Sequence, residues 1–405
     1  MTPNQPRRGL LFVLITVLLD SIGLGIIIPV MPDLIMELTG EGVAAASLYG
    51  GWLLFTFASM QFVFSPIVGN LSDGFGRRPV LLASLAAYGF NYLVMAVAPS
   101  VGWLFLGRIV AGITGATYST ANAFIADVSA SDRRAQDFGL VGAAFGSGFI
   151  LGPVIGGVLG QYGSRVPFYA AAAFSLMNWL YGLLVVPETL PRERRRAFQL
   201  ARANPVGALL QLGRYPRMLG LVVAVLLYQL ASFVNPSTWS YFAIQKLAWS
   251  ERDIGYSLGA AGLLLAFVQG YLTRIAIPRL GRRSAALVGV SFAGVGYLGF
   301  AFATQGWMMY AWLVPWSLSG LALPAIQGLM SSRVPVDAQG ELQGALSSLG
   351  GLAAVVAPPM MTRLFSYFSS AQAPVYFPGA AFAAAAALAM CGLMILAPAL
   401  SRATD

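Results

Sequence analysis

The sequence predicts an all-α polytopic membrane protein with twelve transmembrane helices in two pseudo-symmetric six-helix bundles. Three observations carry this prediction. Of 405 residues, 58% are hydrophobic and only 10% charged, whereas soluble domains run at about 25% charged; mean hydropathy is +0.73. Apolar windows of about 20 residues, the length a helix needs to cross a bilayer, recur along the whole chain with short gaps. Pieces of the first half return in the second at a constant offset of 205 residues: Gly76-Arg77-Arg78 matches Gly281-Arg282-Arg283, Asp132 matches Asp337, Gly139 matches Gly344, and Pro153 matches Pro358. Several matches at one offset indicate duplication of a six-helix unit. The composition excludes a secreted domain, a nucleic-acid module and a soluble enzyme.

The first apolar stretch, Gly9 to Val30, carries one charge and follows Arg7-Arg8. It is too long for a secretory h-region and lacks an A-x-A-like cleavage site, so it reads as a retained span. Further spans fall near 47–69, 80–98, 103–126, 138–160, 166–187, 217–244, 254–277, 284–303, 307–331, 340–364 and 374–398. Between the sixth and seventh, the polar stretch 188–216 divides the chain into a bundle over 1–187, a linker, and a bundle over 217–405. Its run of Glu188, Arg192, Glu193, Arg194, Arg195, Arg196 and Arg202 reads as a topology anchor near anionic lipid. Asn204-Pro205, ahead of Val206, Leu209, Leu210 and Leu212, reads as the start of a short surface helix.

Charge placement sets topology. Of the 24 Lys and Arg, Arg165, Lys246, Arg252 and Arg363 lie opposite the N-terminus, Arg108 sits within a helix, and the rest lie on the N-terminal side. The positive-inside rule then makes both termini cytoplasmic. The 31–46 loop, with Asp33, Glu37 and Glu41 and no basic residue, suits the outer side. There is no histidine, and Cys391 is the single cysteine, so His-dependent triads, zinc motifs and a disulfide framework are excluded. No Gly-rich Lys-Ser/Thr phosphate loop is present. Neither a metal nor a cofactor is expected.

Four local patterns carry chemistry. The loop Gly69-Asn70-Leu71-Ser72-Asp73-Gly74-Phe75-Gly76-Arg77-Arg78-Pro79 combines glycines for a tight turn with an acid and two arginines able to pair. The fourth span opens Gly107-Arg108-Ile109-Val110-Ala111-Gly112-Ile113-Thr114-Gly115-Ala116-Thr117, and an arginine one turn into a membrane helix is costly unless paired or facing water. The fifth span has Gly139, Gly148, Gly152-Pro153 and Gly156-Gly157; small residues four apart let helices approach closely, and proline bends the axis. Asp20 is the one carboxylate deep in any span. A carboxylate there is expensive while charged, which makes it the first candidate to carry a proton.

The loop at 69–79 resembles the signature of the major facilitator superfamily. The resemblance implies a lock on the cytoplasmic side, in which Asp73 faces a helix terminus of the other half and Arg77 pairs with Asp127; Gly69, Gly76 and Arg78 complete it. The second-half copy has Pro278 in place of Asp73, which weakens any equivalent there. The fourth-span pattern implies a role for Arg108 in proton coupling. The glycines Gly148, Gly152, Gly156 and Gly157 with Pro153 resemble the fifth-helix signature of drug/proton antiporters and imply export. Leu18 to Val30, Gly107 to Thr117 and Ala322 to Ser331 resemble the tetracycline/proton antiporters of the bacterial inner membrane.

Those relatives carry an acid in the third span and a histidine and an aspartate in the second half; here the aligned positions are Asn91, Leu265 and Ala293. Tetracycline recognition and proton stoichiometry are thereby put in question. The polar and aromatic groups left for a substrate cavity include Gln61, Asn91, Tyr118, Asn122, Gln229, Trp239, Gln269 and Gln327, with Gln61 and Gln269 matching amides of the tetracycline exporters. The expected function is export, as a monomer, of a small amphipathic molecule, tetracycline-like, in exchange for protons. The alternative is an uncoupled or differently coupled transporter of an endogenous metabolite or siderophore.

Overall fold

The computed structural model describes residues 5–115, 124–125, 129, 133–185, 188–190, 193, 195, 218–335 and 338–401. Apart from short connections these are helical: α1 (Gln5–Thr39), α2 (Val43–Phe75), α3 (Arg77–Ala96), α4 (Val101–Thr114), α5 (Arg134–Gly160), α6 (Val166–Val185), α7 (Leu219–Ser232), α8 (Val234–Leu247), α9 (Glu251–Phe267), α10 (Thr273–Phe302), α11 (Gly306–Ser317), α12 (Ala322–Ser331), α13 (Gln339–Ser369) and α14 (Ala380–Ser401). Among the described residues, ten continuous helical stretches are long and apolar enough to cross a membrane, and α4 is a shorter apolar helix. The stretch Glu251–Phe302 is two spans in one, because Gly281, at φ 78° and ψ 152°, leaves the helical region inside α10. The twelve spans read from hydropathy fit this arrangement. Asn204-Pro205 and most of the linker lie outside the described residues.

Two loop readings differ: in the stretch 69–79, only Gly76 lies outside a helix, since Gly69 to Phe75 close α2 and Arg77 opens α3. Asp33 and Glu37, read as loop, are helical, because α1 continues to Thr39 through Pro29 and Pro32. Val30, Met31, Leu34 and Ile35 are all buried, so the apolar stripe that holds the helix in place runs on past the prolines.

The repeat is visible in the backbone. Gly76, at φ 107° and ψ 157°, precedes α3; Gly281 has nearly the same conformation 205 residues later. At such φ a side chain is strained, so glycine is required in both turns. Pro153 and Pro358 likewise both lie inside helices, α5 and α13.

The chain forms two compact units: one of Met1–Gly40, Thr56–Asn204 and Glu251–Gly259, the other of Glu41–Phe55, Pro205–Ser250 and Ala260–Asp405. In the first, α1 packs along α5 and α6, and α3 along α4 and α6. Its core holds Phe12, Val13 and Val17 of α1, Leu81 and Leu85 of α3, Phe124, Ile125, and Val141 of α5. In the second, α10 packs on α11, α12 and α14, and α7 on α13 and α14. The centre of that unit is aromatic: the Trp239 ring meets Phe300 at 5.0 Å and Phe382 at 6.1 Å, both edge-on.

Candidate functional site

Asp20 sits on α1, and both its carboxylate oxygens are buried with no hydrogen-bond partner among the described residues. It faces α3, where Tyr88 and Tyr92 lie within electrostatic reach of both Asp20 and Arg108. Tyr88, Asn91 and Tyr92 share one face of α3 by their i, i+3, i+4 spacing, and all three are buried. The two rings stand 6.1 Å apart. The Tyr92 hydroxyl lies against Gly23, less than one turn beyond Asp20, 3.0 Å from where a Cβ would stand.

Glycines of α4 bring the other helices in. A Cβ on Gly107 would meet Asn91 Oδ1 at 2.5 Å, and one on Gly112 would meet the Phe57 carbonyl oxygen at 2.6 Å. Gln61 Nε2 donates to the Gly115 carbonyl at 3.2 Å. Arg108 is 7% exposed, with its guanidinium 5.9 Å from the Phe57 ring centroid. Asp20, Arg108, Asn91 and Gln61 thus gather in one unit, where the sequence had linked them by chemistry alone. Tyr88 and Tyr92 are additions; their spacing with Asn91 was the available signal. Tyr118, Asn122 and Asp127 lie outside the described residues.

The fifth-span glycines form two faces. Gly148, Gly152 and Gly156 lie four apart and meet the backbone of α1: a Cβ on Gly148 would stand 2.5 Å from the Leu18 carbonyl oxygen, one on Gly152 2.7 Å from that of Ile22, and one on Gly156 would overlap that of Ile26. Gly157 turns to α9, where a Cβ would overlap the Glu251 carbonyl and lie 3.0 Å from Gly255 Cα, while a Cβ on Gly255 would run into the Pro153 carbonyl oxygen. Only hydrogen at these positions allows backbones so close. Gly139, the first glycine of the pattern, has nothing within 4 Å of a built Cβ.

The junction of α2 and α3, a turn at the single residue Gly76, is tied together locally. Arg77 pairs with Asp73 at 2.5 Å and donates to Ser72 Oγ at 2.7 Å, and Arg78 donates to the Leu183 carbonyl at 2.9 Å. Gly69 is open, and Gly76 makes the turn. Glu188, read from sequence only as part of the linker, accepts the Arg77 backbone N–H at 2.9 Å and its own Leu190 N–H at 3.0 Å. Its other oxygen lies 3.7 Å from Arg195. An acid at that place satisfies an orphan donor of the first turn of α3 and meets its positive dipole end; nothing in the linker's charge run singled it out.

In the second unit the candidates part company. Gln229 and Gln327 line a cleft of about 190 Å³ together with Val225, Leu323, Gln343, Leu346, Ser347 and Gly350. Trp239 is elsewhere, in the aromatic centre and 2% exposed. Gln269 lies on the π-helical turn Val268–Leu272, packed near Gly320 with Leu265; such turns recur at functional sites. Ala293 is buried.

The family model of the Major Facilitator Superfamily matches residues 13–358. The chain belongs to that superfamily. Its relatives include the class C tetracycline resistance protein of Escherichia coli, 39% identical over 90% of this chain and 92% of that protein, and the class G protein of Vibrio anguillarum, 39% identical over 89% and 91%. The kinship with tetracycline exporters read from the first, fourth and tenth spans is met by these matches. Among solved structures, a bacterial homologue of the human lysosomal transporter Spinster has a TM-score of 0.79 at 16% identity, covering 99% of this chain and 98% of that one. The human organic anion transporter MFSD10 (TETRAN) has a TM-score of 0.70 at 23% identity, covering 98% and 100%. At these identities they share the facilitator fold. The chain is a multi-pass membrane transporter.

Proposed function

We propose that this facilitator is a proton-coupled exporter that moves a small amphipathic molecule, tetracycline-like, out of the bacterial cytoplasm across the inner membrane by alternating access, with both termini cytoplasmic and one bundle over 1–187 working against another over 217–405. The observation that carries the coupling is the Asp20 carboxylate: buried, without a hydrogen-bond partner among the described residues, and facing two tyrosines that also feel Arg108. A buried carboxyl without a partner is expensive while charged, and a proton is the ligand that removes the charge without any other group moving. Arg108 provides the local positive charge against which ionised Asp20 is balanced. Substrate binding and protonation compete through this cluster, and the gradient supplies the energy. The substrate class comes from the relatives, which are named for tetracycline resistance.

Asp73, Arg77, Arg78, Gly69, Gly76 and Asp127 act as the cytoplasmic lock, with Glu188 holding the turn. Gly148, Gly152 and Gly156 set the spacing of α5 against α1, a pair that, packed backbone to backbone, moves as a rigid body, while Pro153 and Gly157 meet α9. Gln61, Asn91, Tyr118, Asn122, Gln229, Gln269 and Gln327 supply substrate contacts. Trp239 serves the fold of its unit, by its burial among phenylalanines.

Inside-out vesicles test the proposal. Adding tetracycline to energised vesicles releases protons with the native protein and not with Asp20→Asn. Release by both proteins rejects Asp20 as the carrier; release by neither, while tetracycline still crosses, favours the uncoupled transporter of a metabolite or siderophore. The asparagine, leucine and alanine at 91, 265 and 293 are the feature that supports that second reading.

A further inference from the structure

We infer that the turn at Gly281 is a docking site for the phosphate headgroup of an anionic lipid, held by Arg279, Arg282 and Arg283 with Arg274 beside them. The inference goes beyond the export reading and takes from it only the side of the membrane: these arginines lie at the end of the spans that carries the N-terminus, which that reading makes the anionic, cytoplasmic leaflet.

Two copies of one turn have diverged. In the first, positive charge is spent inside the chain. Arg77 pairs with Asp73 and donates to Ser72 Oγ, Arg78 donates to the Leu183 carbonyl, and Glu188 accepts the Arg77 backbone N–H. Both arginines are half-buried, and a Cβ on Gly76 would run into the Glu188 carboxyl. In the second copy, 205 residues on, each of those side-chain acceptors is replaced by an apolar residue: Ile277 stands for Ser72, Pro278 for Asp73 and Leu393 for Glu188. Two glycines have meanwhile become basic, with Arg274 for Gly69 and Arg279 for Gly74. The stretch 274–284 therefore holds four arginines and no acid.

The geometry follows the sequence. Arg274, Arg279, Arg282 and Arg283 are all exposed, and among the described residues none of them is in an ion pair. A Cβ on Gly281 has nothing within 4 Å, so the place that Glu188 fills at the first turn is open at the second. Arg282 is already held in position, because its Nη1 donates to the Gly328 carbonyl on α12 at 3.0 Å, and its remaining N–H groups are left for a ligand. The positive-inside rule accounts for arginines at this end; it does not require the second turn to gain two of them while losing every acid. Guanidinium forks match phosphate oxygens in pairs, and a phosphodiester supplies here the negative charge that the chain itself supplies at Gly76.

The neighbouring surface marks the anion as a lipid. Leu263, Phe267 and Tyr271 are exposed and, with Arg274, follow one another at spacings of four, four and three, the pattern of one helical face. The Phe267 and Tyr271 rings stand 5.5 Å apart. An apolar stripe open to the bilayer, ending in a tyrosine and an arginine at the interface, gives an acyl chain a path to the same arginines that hold its headgroup. A soluble anion would use the arginines alone.

Native mass spectrometry of the purified full chain, titrated with phosphatidylglycerol or phosphatidylcholine, tests the site, with melting temperature recorded in parallel. The native protein retains phosphatidylglycerol well ahead of phosphatidylcholine, and inorganic phosphate does not displace it. Arg279→Gln, Arg282→Gln and Arg283→Gln each lower its affinity about fivefold, the scale of one arginine near an anionic surface, whereas Arg283→Lys, which keeps the charge, lowers it less. Pro278→Asp removes no arginine but restores the acid of the first turn, so it too weakens the lipid, without a lower melting temperature. Arg252→Gln, at an exposed position on α9, removes the same charge elsewhere and binds as native. Equal retention of the two lipids, native affinity in all three glutamine variants, or an equal loss in Arg252→Gln overturns the site, and displacement by inorganic phosphate overturns the lipid in favour of a soluble anion. The measurement involves no transport, so its failure leaves proton-coupled export standing.

Discussion

Replacing Gly152 by alanine is the sharpest probe of how α1 and α5 are held. The new methyl carbon would stand 2.7 Å from the Ile22 carbonyl oxygen and 2.8 Å from Gly25 Cα. Both are backbone atoms that no rotamer change can move. Ordinary C···O contacts begin near 3.3–3.6 Å, so the helices must part by about 0.7 Å, and Gly148 and Gly156 would lose their contacts in the process. Overpacking on this scale costs about 1–3 kcal/mol, only part of which is returned by alanine's better helix propensity, worth about 1 kcal/mol. Gly146 is the internal control: it lies on the same helix with nothing within 4 Å of its Cβ position, so Gly146→Ala gains the propensity and meets no clash. Thermal unfolding of purified protein, paired with tetracycline efflux from cells, compares the two. The account expects Gly152→Ala to melt lower and to lose efflux about tenfold, with Gly146→Ala at or above the native melting temperature. Equal stability and activity in the two variants would refute the backbone-contact argument.

Other consequences are open to measurement. Trp239→Ala removes the hub of the Phe300 and Phe382 contacts and should cost about 3–5 kcal/mol, seen as a large drop in melting temperature, whereas Trp307→Ala, at a site 67% exposed, should change it little; equal drops would remove Trp239 from the core. Ala248 ends α8 at φ 52°, a conformation that costs an L residue about 1–2 kcal/mol, so Ala248→Gly should raise thermal stability and Ala248→Val lower it. Glu188→Ala strips the acceptor from the Arg77 and Leu190 N–H groups; amide exchange at Arg77 should accelerate about tenfold, as expected for loss of a charge-assisted hydrogen bond, with exchange in α1 unchanged.

The fold was legible because lipid imposes a single rule, that apolar runs of the right length become helices. It failed at the outer end of α1, where Pro32, Asp33 and Glu37 look like a loop yet belong to a helix kept by Leu34 and Ile35, and at Gly69–Phe75, which also look like a loop yet close α2. The close packing of Gly148, Gly152 and Gly156 was also readable, since four-residue spacing states which face is bare. What they pack against was not: that Gly157 turns to α9 depends on segments about a hundred residues apart in sequence. The same limit explains Glu188 and Gln343. Each is an ordinary polar residue until another segment is brought to it, the α3 N-terminus in one case and α7 with α12 in the other. Trp239 shows the opposite failure, because an aromatic residue in a membrane span serves a ligand or a core equally well on paper, and the phenylalanines that decide it come from α10 and α14.

The central claim is that a proton gradient alone drives this transporter through Asp20. Proteoliposomes containing the purified chain, loaded at acid pH and diluted into alkaline buffer, provide that gradient and no other energy source. The account predicts that labelled tetracycline accumulates inside above its external concentration, that collapsing the gradient abolishes the accumulation, and that Asp20→Asn gives only equilibration or none. Accumulation by Asp20→Asn equal to native, or native uptake that stops at equilibrium whatever the gradient, would contradict it.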